Sequence, residues 1–201
     1  MSTLSRRSFL RSATLVGATA LTACTVTTTN GVTTITLDVT KVKNYGQAGL
    51  NAAATVTSFL SSFPALAPYA LAITAAETAL SGALSAFSSA AGSTLTISYN
   101  DASWKTRVDS ILSDLDTLAA AIESALAGSG SVLSSSVLSN ARTAYNALAT
   151  LISVFKALLG VSDAKAPIGN RMHLTRDMVL VGAPVPATGM TEAQALRALG
   201  V

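Results

Sequence analysis

Side chains that build disulfides and transition-metal sites are nearly absent from this chain of 201 residues. It contains one cysteine, Cys24, and one histidine, His173. A single cysteine cannot form an internal disulfide, and zinc sites take several nitrogen or sulfur ligands. The composition therefore predicts neither a disulfide framework nor a metal site. No cofactor-binding motif stands in the sequence, so we expect no resident cofactor.

Charged residues are also scarce, at 11% of the chain, and their basic excess is confined to one end. The net charge of +3 comes from Arg6, Arg7 and Arg11, because the other ten basic residues are balanced by ten acidic ones. A nucleic-acid-binding protein usually shows a basic patch or stripe. The sequence therefore argues against a nucleic-acid partner.

Aromatic residues make up only 5% of the chain, yet hydrophobic residues reach 50%. Alanine, serine, threonine and leucine take the place of larger side chains. That apolar content is too high for a disordered chain. Residues 24–201 suffice for one domain with a sizeable core, and the mean hydropathy of +0.51 raises the question of a membrane role.

The N-terminal sequence carries an export pattern. Residues 5–10 read SRRSFL, with Arg6, Arg7, Phe9 and Leu10 at the positions that define it. A short apolar run follows, far below the ~20 residues needed to cross a bilayer. The segment resembles a bacterial twin-arginine export signal. The resemblance implies that the protein is exported and that the signal, residues 1–23, is removed.

A second pattern closes the signal, because residues 21–24 read LTAC. This resembles a bacterial lipobox, which implies that Cys24 is lipidated and becomes the first residue of the mature protein. Each buried CH₂ of a lipid chain contributes ~0.8 kcal/mol, so several chains give a stable anchor. The implied location is the periplasmic face of a bacterial membrane. Cleavage by an ordinary signal peptidase among these small residues is the alternative.

Two short regions alternate polar and apolar residues with the period of a strand. Residues 25–39 are rich in threonine, valine and isoleucine, and Asn30-Gly31 is a typical hairpin turn. The other region, residues 95–99, reads LTISY. A lone strand would leave its backbone groups unpaired, so we expect it to pair with the N-terminal hairpin.

Four segments with helical spacing of apolar residues predict the main helices. They run from about Gln47 to Pro64, over 68–91, over 102–127 and from a serine cap near 134–136 to Gly160. The predicted fold class is mainly α, a four-helix bundle of two helical hairpins with a small β-element. We expect the alanine-rich second helix to pack at the centre.

The second predicted helix is also long enough to span a membrane. Its apolar residues are mostly alanine, and Glu77 sits near its middle. A central acidic residue costs roughly 2.5–3.5 kcal/mol on insertion scales. We therefore interpret this segment as a buried helix of the predicted bundle domain, residues 24–160.

Residues 161–201 differ in composition and predict an extended C-terminal tail. A short strand is expected over 178–181. The sequence TEAQ from Thr191 is a capping-box pattern, which predicts a short terminal helix.

Few side chains are candidates for chemistry. Asp109, Asp114, Asp116 and Glu123 could bind a cation or form an acid pair, but a solvated helix face is the simpler interpretation. Arg171, His173 and Arg176 could form an anion site or be scattered surface charge. A serine hydrolase using His173 would normally carry a GxSxG elbow, which is not present. We expect no catalytic residues and no enzymatic activity.

The sequence leaves three hypotheses for function. The first is an exported, lipid-anchored, non-enzymatic protein that binds a partner, associates with itself or plays a structural role in the cell envelope. The second is a membrane-active protein that inserts its apolar residues 50–91 to form or disturb a pore. The third is a small hydrolase dependent on His173.

Overall fold

A computed structural model of the chain describes residues 24–29, 32–130, 132–160 and 189–201. These residues are mainly α-helical, with a small antiparallel sheet, as the sequence predicts. The elements are β1 (Cys24–Thr29), β2 (Val32–Asp38), α1 (Val39–Leu60), α2 (Ala67–Ala91), β3 (Thr96–Ser98), α3 (Ala102–Gly128), α4 (Ser135–Leu158) and α5 (Glu192–Ala198).

The sheet has the order β1-β2-β3, with both pairs antiparallel. The predicted pairing of the inserted strand with the N-terminal hairpin is therefore confirmed, while the turn residues 30 and 31 lie outside the described part. Leu37 and Ile97 are opposite one another and both are buried. This face of the sheet covers one end of the helical core.

Helix α1 begins at Val39, about eight residues before the predicted start. Asp38 ends the strand and caps the helix, because its carboxylate accepts hydrogen bonds from the backbone N–H of Thr40 (2.7 Å) and Lys41 (3.2 Å). A Cβ on Gly49 would lie 2.9 Å from a methyl group of Leu80. Gly49 therefore allows neighbouring helices to approach α1 closely.

The expectation that the alanine-rich helix packs at the centre is wrong. Helix α1 holds that position, in contact with α2, α3, α4 and α5. Helix α2 packs on α1 and α3 through one stripe and exposes the rest of its surface. Alanine and serine side chains gain little from burial, so the helix is held by the few larger residues of its stripe. The buried residues are Ile73, Ala76, Leu80, Phe87 and Ala91.

The remaining helices follow the predicted boundaries closely. Asp101 caps α3, Ser134 stands at the N-cap of α4, and Gly160 follows α4 with φ of 69°. The predicted terminal helix is present as α5, with its capping box between Thr191 and Gln194 formed. It packs against α4 and α1. The predicted strand at 178–181 lies outside the described residues.

Candidate functional site

The residue predicted to carry lipid stands at the head of the sheet. Cys24 is the first residue of β1, and its register partner in β2 is Leu37. The predicted export residues Arg6, Arg7, Phe9 and Leu10 lie outside the described part of the chain. An anchor at Cys24 would thus be joined to the folded body without an intervening linker.

The four acidic residues of α3 do not converge on one site. Asp116 pairs with Lys156 at 3.0 Å, and Asp109 pairs with Lys105 one turn away on the same helix. Burial raises the pKa of the Asp114 carboxyl above its usual value. Among the described residues, no group of three or more His, Cys, Asp or Glu side chains could hold a metal ion.

A polar cluster lies where the sheet meets α3. The hydroxyl of Tyr99 donates to Asp109 Oδ1 at 2.6 Å, and Lys105 Nζ donates to the Tyr99 oxygen at 3.1 Å. Burial and the bond to Asp109 raise the pKa of Tyr99, while the bond to Asp109 raises the pKa of Lys105. Both shifts move the pKa values further from neutral pH. The cluster fastens β3 to α3.

A shallow cavity of about 290 Å³ lies between the end of α3 and the start of α4. Burial, with the neighbouring Glu123 carboxylate, raises the pKa of the Tyr145 phenol. Arg142 and Asn146 add donors to the same cavity. Such a mixture can hydrogen-bond a small polar molecule.

A second cavity, of about 180 Å³, lies between α1 and α5. Tyr45 donates its hydroxyl proton to Glu192 Oε1 at 2.8 Å, and Lys41 Nζ lies 3.9 Å from the same oxygen. Asn51 donates to the backbone carbonyl of Leu199 at 2.7 Å. Sequence reasoning missed this cluster because its two halves are about 150 positions apart, and no local pattern links them.

The outer face of α2 is uncharged and consists mainly of alanine, serine and threonine. Ala72, Ala75, Ala79, Gly82, Ala86 and Ser89 follow a 3–4 spacing, and all six are exposed. The segment Pro64–Ala91 is long and apolar enough to cross a membrane. Its most apolar stretch of 18 residues has a mean hydropathy of 1.4, and 22% of that stretch is buried in the fold. Glu77 is half-buried on the same helix. The helix is thus not the enclosed core helix that the sequence suggests.

The remaining candidates, Arg171, His173 and Arg176, lie outside the described residues. Comparison with known protein families, with curated proteins and with solved structures found no match. The class of protein is therefore defined by the fold alone: a mainly helical bundle whose small sheet begins at the residue predicted to carry lipid.

Proposed function

We propose that the protein is an exported lipoprotein of the bacterial cell envelope, held at the periplasmic face of a membrane by lipid at Cys24. Its helical body acts without catalysis, by binding a partner, by associating with another copy or by a structural role. The observation that carries the proposal is the run from the twin-arginine-like residues 5–10 to the lipobox-like residues 21–24.

The position of Cys24 supports the anchor. It starts strand β1, so cleavage before it would remove the signal and leave every described element intact. Charged groups support a role other than catalysis, because the ion pairs of Lys105, Asp116 and Glu192 each join neighbouring structural elements or turns. Each of these charged groups therefore has an ion-pair partner within the folded body.

Intact mass of the protein purified from a bacterial host tests the proposal. We expect a chain that begins at Cys24 and carries the added mass of acyl groups, recovered from the membrane fraction. Cys24→Ser should abolish both the acyl mass and the membrane recovery. Changing Arg6 and Arg7 together to lysine should block export and leave the signal uncleaved. An uncleaved or unacylated wild-type chain would contradict the proposal.

A membrane-active protein is the second candidate, favoured by one observation: the exposed, uncharged face of α2. The Cys24→Ser protein, added to dye-loaded vesicles, should then release dye. Ala79→Asp places a charge on that face and should abolish release, whereas Thr117→Asp on the exposed face of α3 should not. Absence of release by the parent protein excludes this candidate.

A further inference from the structure

Strand β1 lies at an open edge of the sheet. Within the described ranges it pairs only with β2, and residues 25–29 are exposed. An edge strand presents unpaired N–H and C=O groups that can pair with another chain. Proteins commonly protect such edges with lysine or proline, and β1, with the sequence CTVTTT, contains neither. Within the described part of the chain, this edge is therefore open to strand addition.

The hydrogen bonds of β2 determine which backbone groups of β1 face outward. The carbonyl of Ile35 accepts from the N–H of Tyr99 at 2.8 Å, and the N–H of Ile35 donates to Asn100 Oδ1 at 2.8 Å. The backbone of Ile35 is therefore turned toward β3. Because directions alternate along an antiparallel strand, the backbone of Thr34 is turned toward β1.

The same alternation fixes the orientation of β1. Thr34 is paired with Thr27, so the backbone of Thr27 is turned inward, toward β2. Its neighbours Val26 and Thr28 consequently direct their N–H and C=O groups away from β2. These groups form the regular, two-residue spacing that a further antiparallel strand requires.

An apolar side chain marks the centre of this edge. Val26 is 57% exposed, while its cross-strand partner Ile35 is half-buried and Leu37 on the same face is 1% exposed. On this face, burial therefore decreases from Ile35 on β2 to Val26 on the edge strand. A strand added beside β1 would cover Val26 and continue this apolar row.

We propose that the open edge of β1 pairs antiparallel with β1 of a second copy, with the two Val26 residues opposite one another. Two three-stranded sheets then join into one six-stranded sheet about a two-fold axis. Each Val26 donates its N–H to the carbonyl of the other copy's Val26, and their side chains pack together across the axis.

A second copy suits this edge better than the lipid of the membrane. Lipid tails offer no hydrogen bonds to backbone groups. Residues 24–29 carry no charge, so two copies do not repel each other, and antiparallel pairing of a strand with itself is the self-complementary contact that two-fold symmetry requires. In this register the two Cys24 residues are four positions apart along the sheet, about 13 Å, so both can anchor in one leaflet.

Cysteine crosslinking tests the register directly. Cys24 is the only cysteine, so Cys24→Ser with Val26→Cys leaves one thiol on the proposed axis. Opposed Cα atoms of a hydrogen-bonded pair lie about 5.5 Å apart, within disulfide reach. Mild oxidation should yield a covalent dimer. The matched control, Cys24→Ser with Thr33→Cys, places the thiol on β2, about 20 Å from its copy, and should give no covalent dimer.

Proline substitution tests the backbone. Val26→Pro removes only the outward N–H, so the Cys24→Ser chain carrying it should keep its melting temperature. Its dimer dissociation constant should rise about ten- to hundred-fold, because one hydrogen bond is lost on each side of the axis. Thr27→Pro removes an inward N–H and should instead lower the melting temperature. Val26→Lys, which places two like charges opposite one another, should also weaken the dimer.

Light scattering of the full chain with Cys24→Ser, at concentrations up to about 100 µM, should detect a dimer. Its dissociation constant is the reference for the Val26 variants. A monomer throughout overturns the proposal, as does a dimer that survives Val26→Pro unchanged, or equal crosslinking at positions 26 and 33. The proposal rests on the binding or self-associating role proposed above. Its test uses unlipidated protein, whereas the mass measurement tests the anchor, so the two can fail separately.

Discussion

The side chains of Tyr45 and Glu192, 147 positions apart, are joined by a hydrogen bond of 2.8 Å. The tyrosine ring also lies 5.1 Å from the ring of Phe155, measured between centroids. One residue of α1 therefore contacts both α4 and α5. This contact fixes the position of a terminal helix of only seven residues, which is too short to be stable alone.

Tyr45→Phe should loosen α5 without disturbing the rest of the bundle. A hydrogen bond to a charged group contributes about 1.5–3 kcal/mol, and the substitution preserves the ring. Hydrogen exchange should show faster exchange of α5 amides. The matched control is Tyr69→Phe, because the Tyr69 hydroxyl makes no hydrogen bond within the part of the chain that the structure describes. Equal exchange in both variants would contradict this assignment.

The same glycine-to-alanine change should have opposite effects in two helices. At Gly49 the added methyl group would overlap Leu80 and Leu115, so Gly49→Ala should cost about 1–3 kcal/mol. At Gly82 no atom lies within 4 Å, so Gly82→Ala should stabilise the protein by up to about 1 kcal/mol. Chemical denaturation measures both. A destabilising Gly82→Ala would show that the face of α2 is covered.

Asp114→Asn should stabilise the protein at neutral pH. Burial raises the pKa of Asp114 above its usual 3.8, so the folded state favours the protonated form. The penalty grows as pH rises through the interval between the unfolded and folded pKa values, and it is complete above that interval. We expect a gain of about 0.5 kcal/mol at pH 7, typical of a partly exposed site. The gain should vanish below pH 3.8.

Asp101→Ala should show the opposite pH dependence. Hydrogen bonds from the Ser103 hydroxyl, and then from the backbone N–H groups of Ser103 and Trp104, lower the pKa of Asp101. Its stabilising effect is present above the usual value of 3.8 and is lost as pH falls through the folded pKa. The variant should therefore be less stable than the parent at pH 7 and equal to it in strong acid. Thermal melts across pH compare the two aspartates.

Phe87→Ala should both destabilise the protein and change its fluorescence. The Phe87 ring meets the edge of Trp104, the only tryptophan, with centroids 5.8 Å apart. Removing a buried phenylalanine costs about 3–5 kcal/mol, and water reaching Trp104 should shift its emission to the red. Leu71→Ala, at a position 71% exposed, should change neither.

Local patterns predicted most of the elements. The regular apolar spacing of α3 and the range of α2 depend on near neighbours in sequence. The pairing of β3 with the N-terminal hairpin was also predicted, because an isolated strand leaves backbone groups unpaired. The start of α1 was missed, since the packing that requires Gly46 and Gly49 involves other helices.

Arrangement in space was harder to predict. The apolar content of α2 led to the prediction that this helix lies at the centre of the bundle. Small side chains contribute little buried area, however, and α1 occupies the centre instead. The contacts of Tyr45 and Asn51 with the C-terminal helix join residues far apart in the chain. The backbone groups of β1 that face outward could be assigned only from the hydrogen bonds of Ile35 with Tyr99 and Asn100.

The docking of α5 has a consequence for the order of events during synthesis. Residues 192–199 leave the ribosome roughly 10–40 s after the N-terminal signal, at ordinary elongation rates. Before that time, the hydrogen bonds of Tyr45 and Asn51 to the C-terminal segment cannot form. We therefore expect an export system that threads the nascent polypeptide to act on a chain whose α5 is not yet docked. An export system that transports folded proteins would act on the chain after α5 has docked.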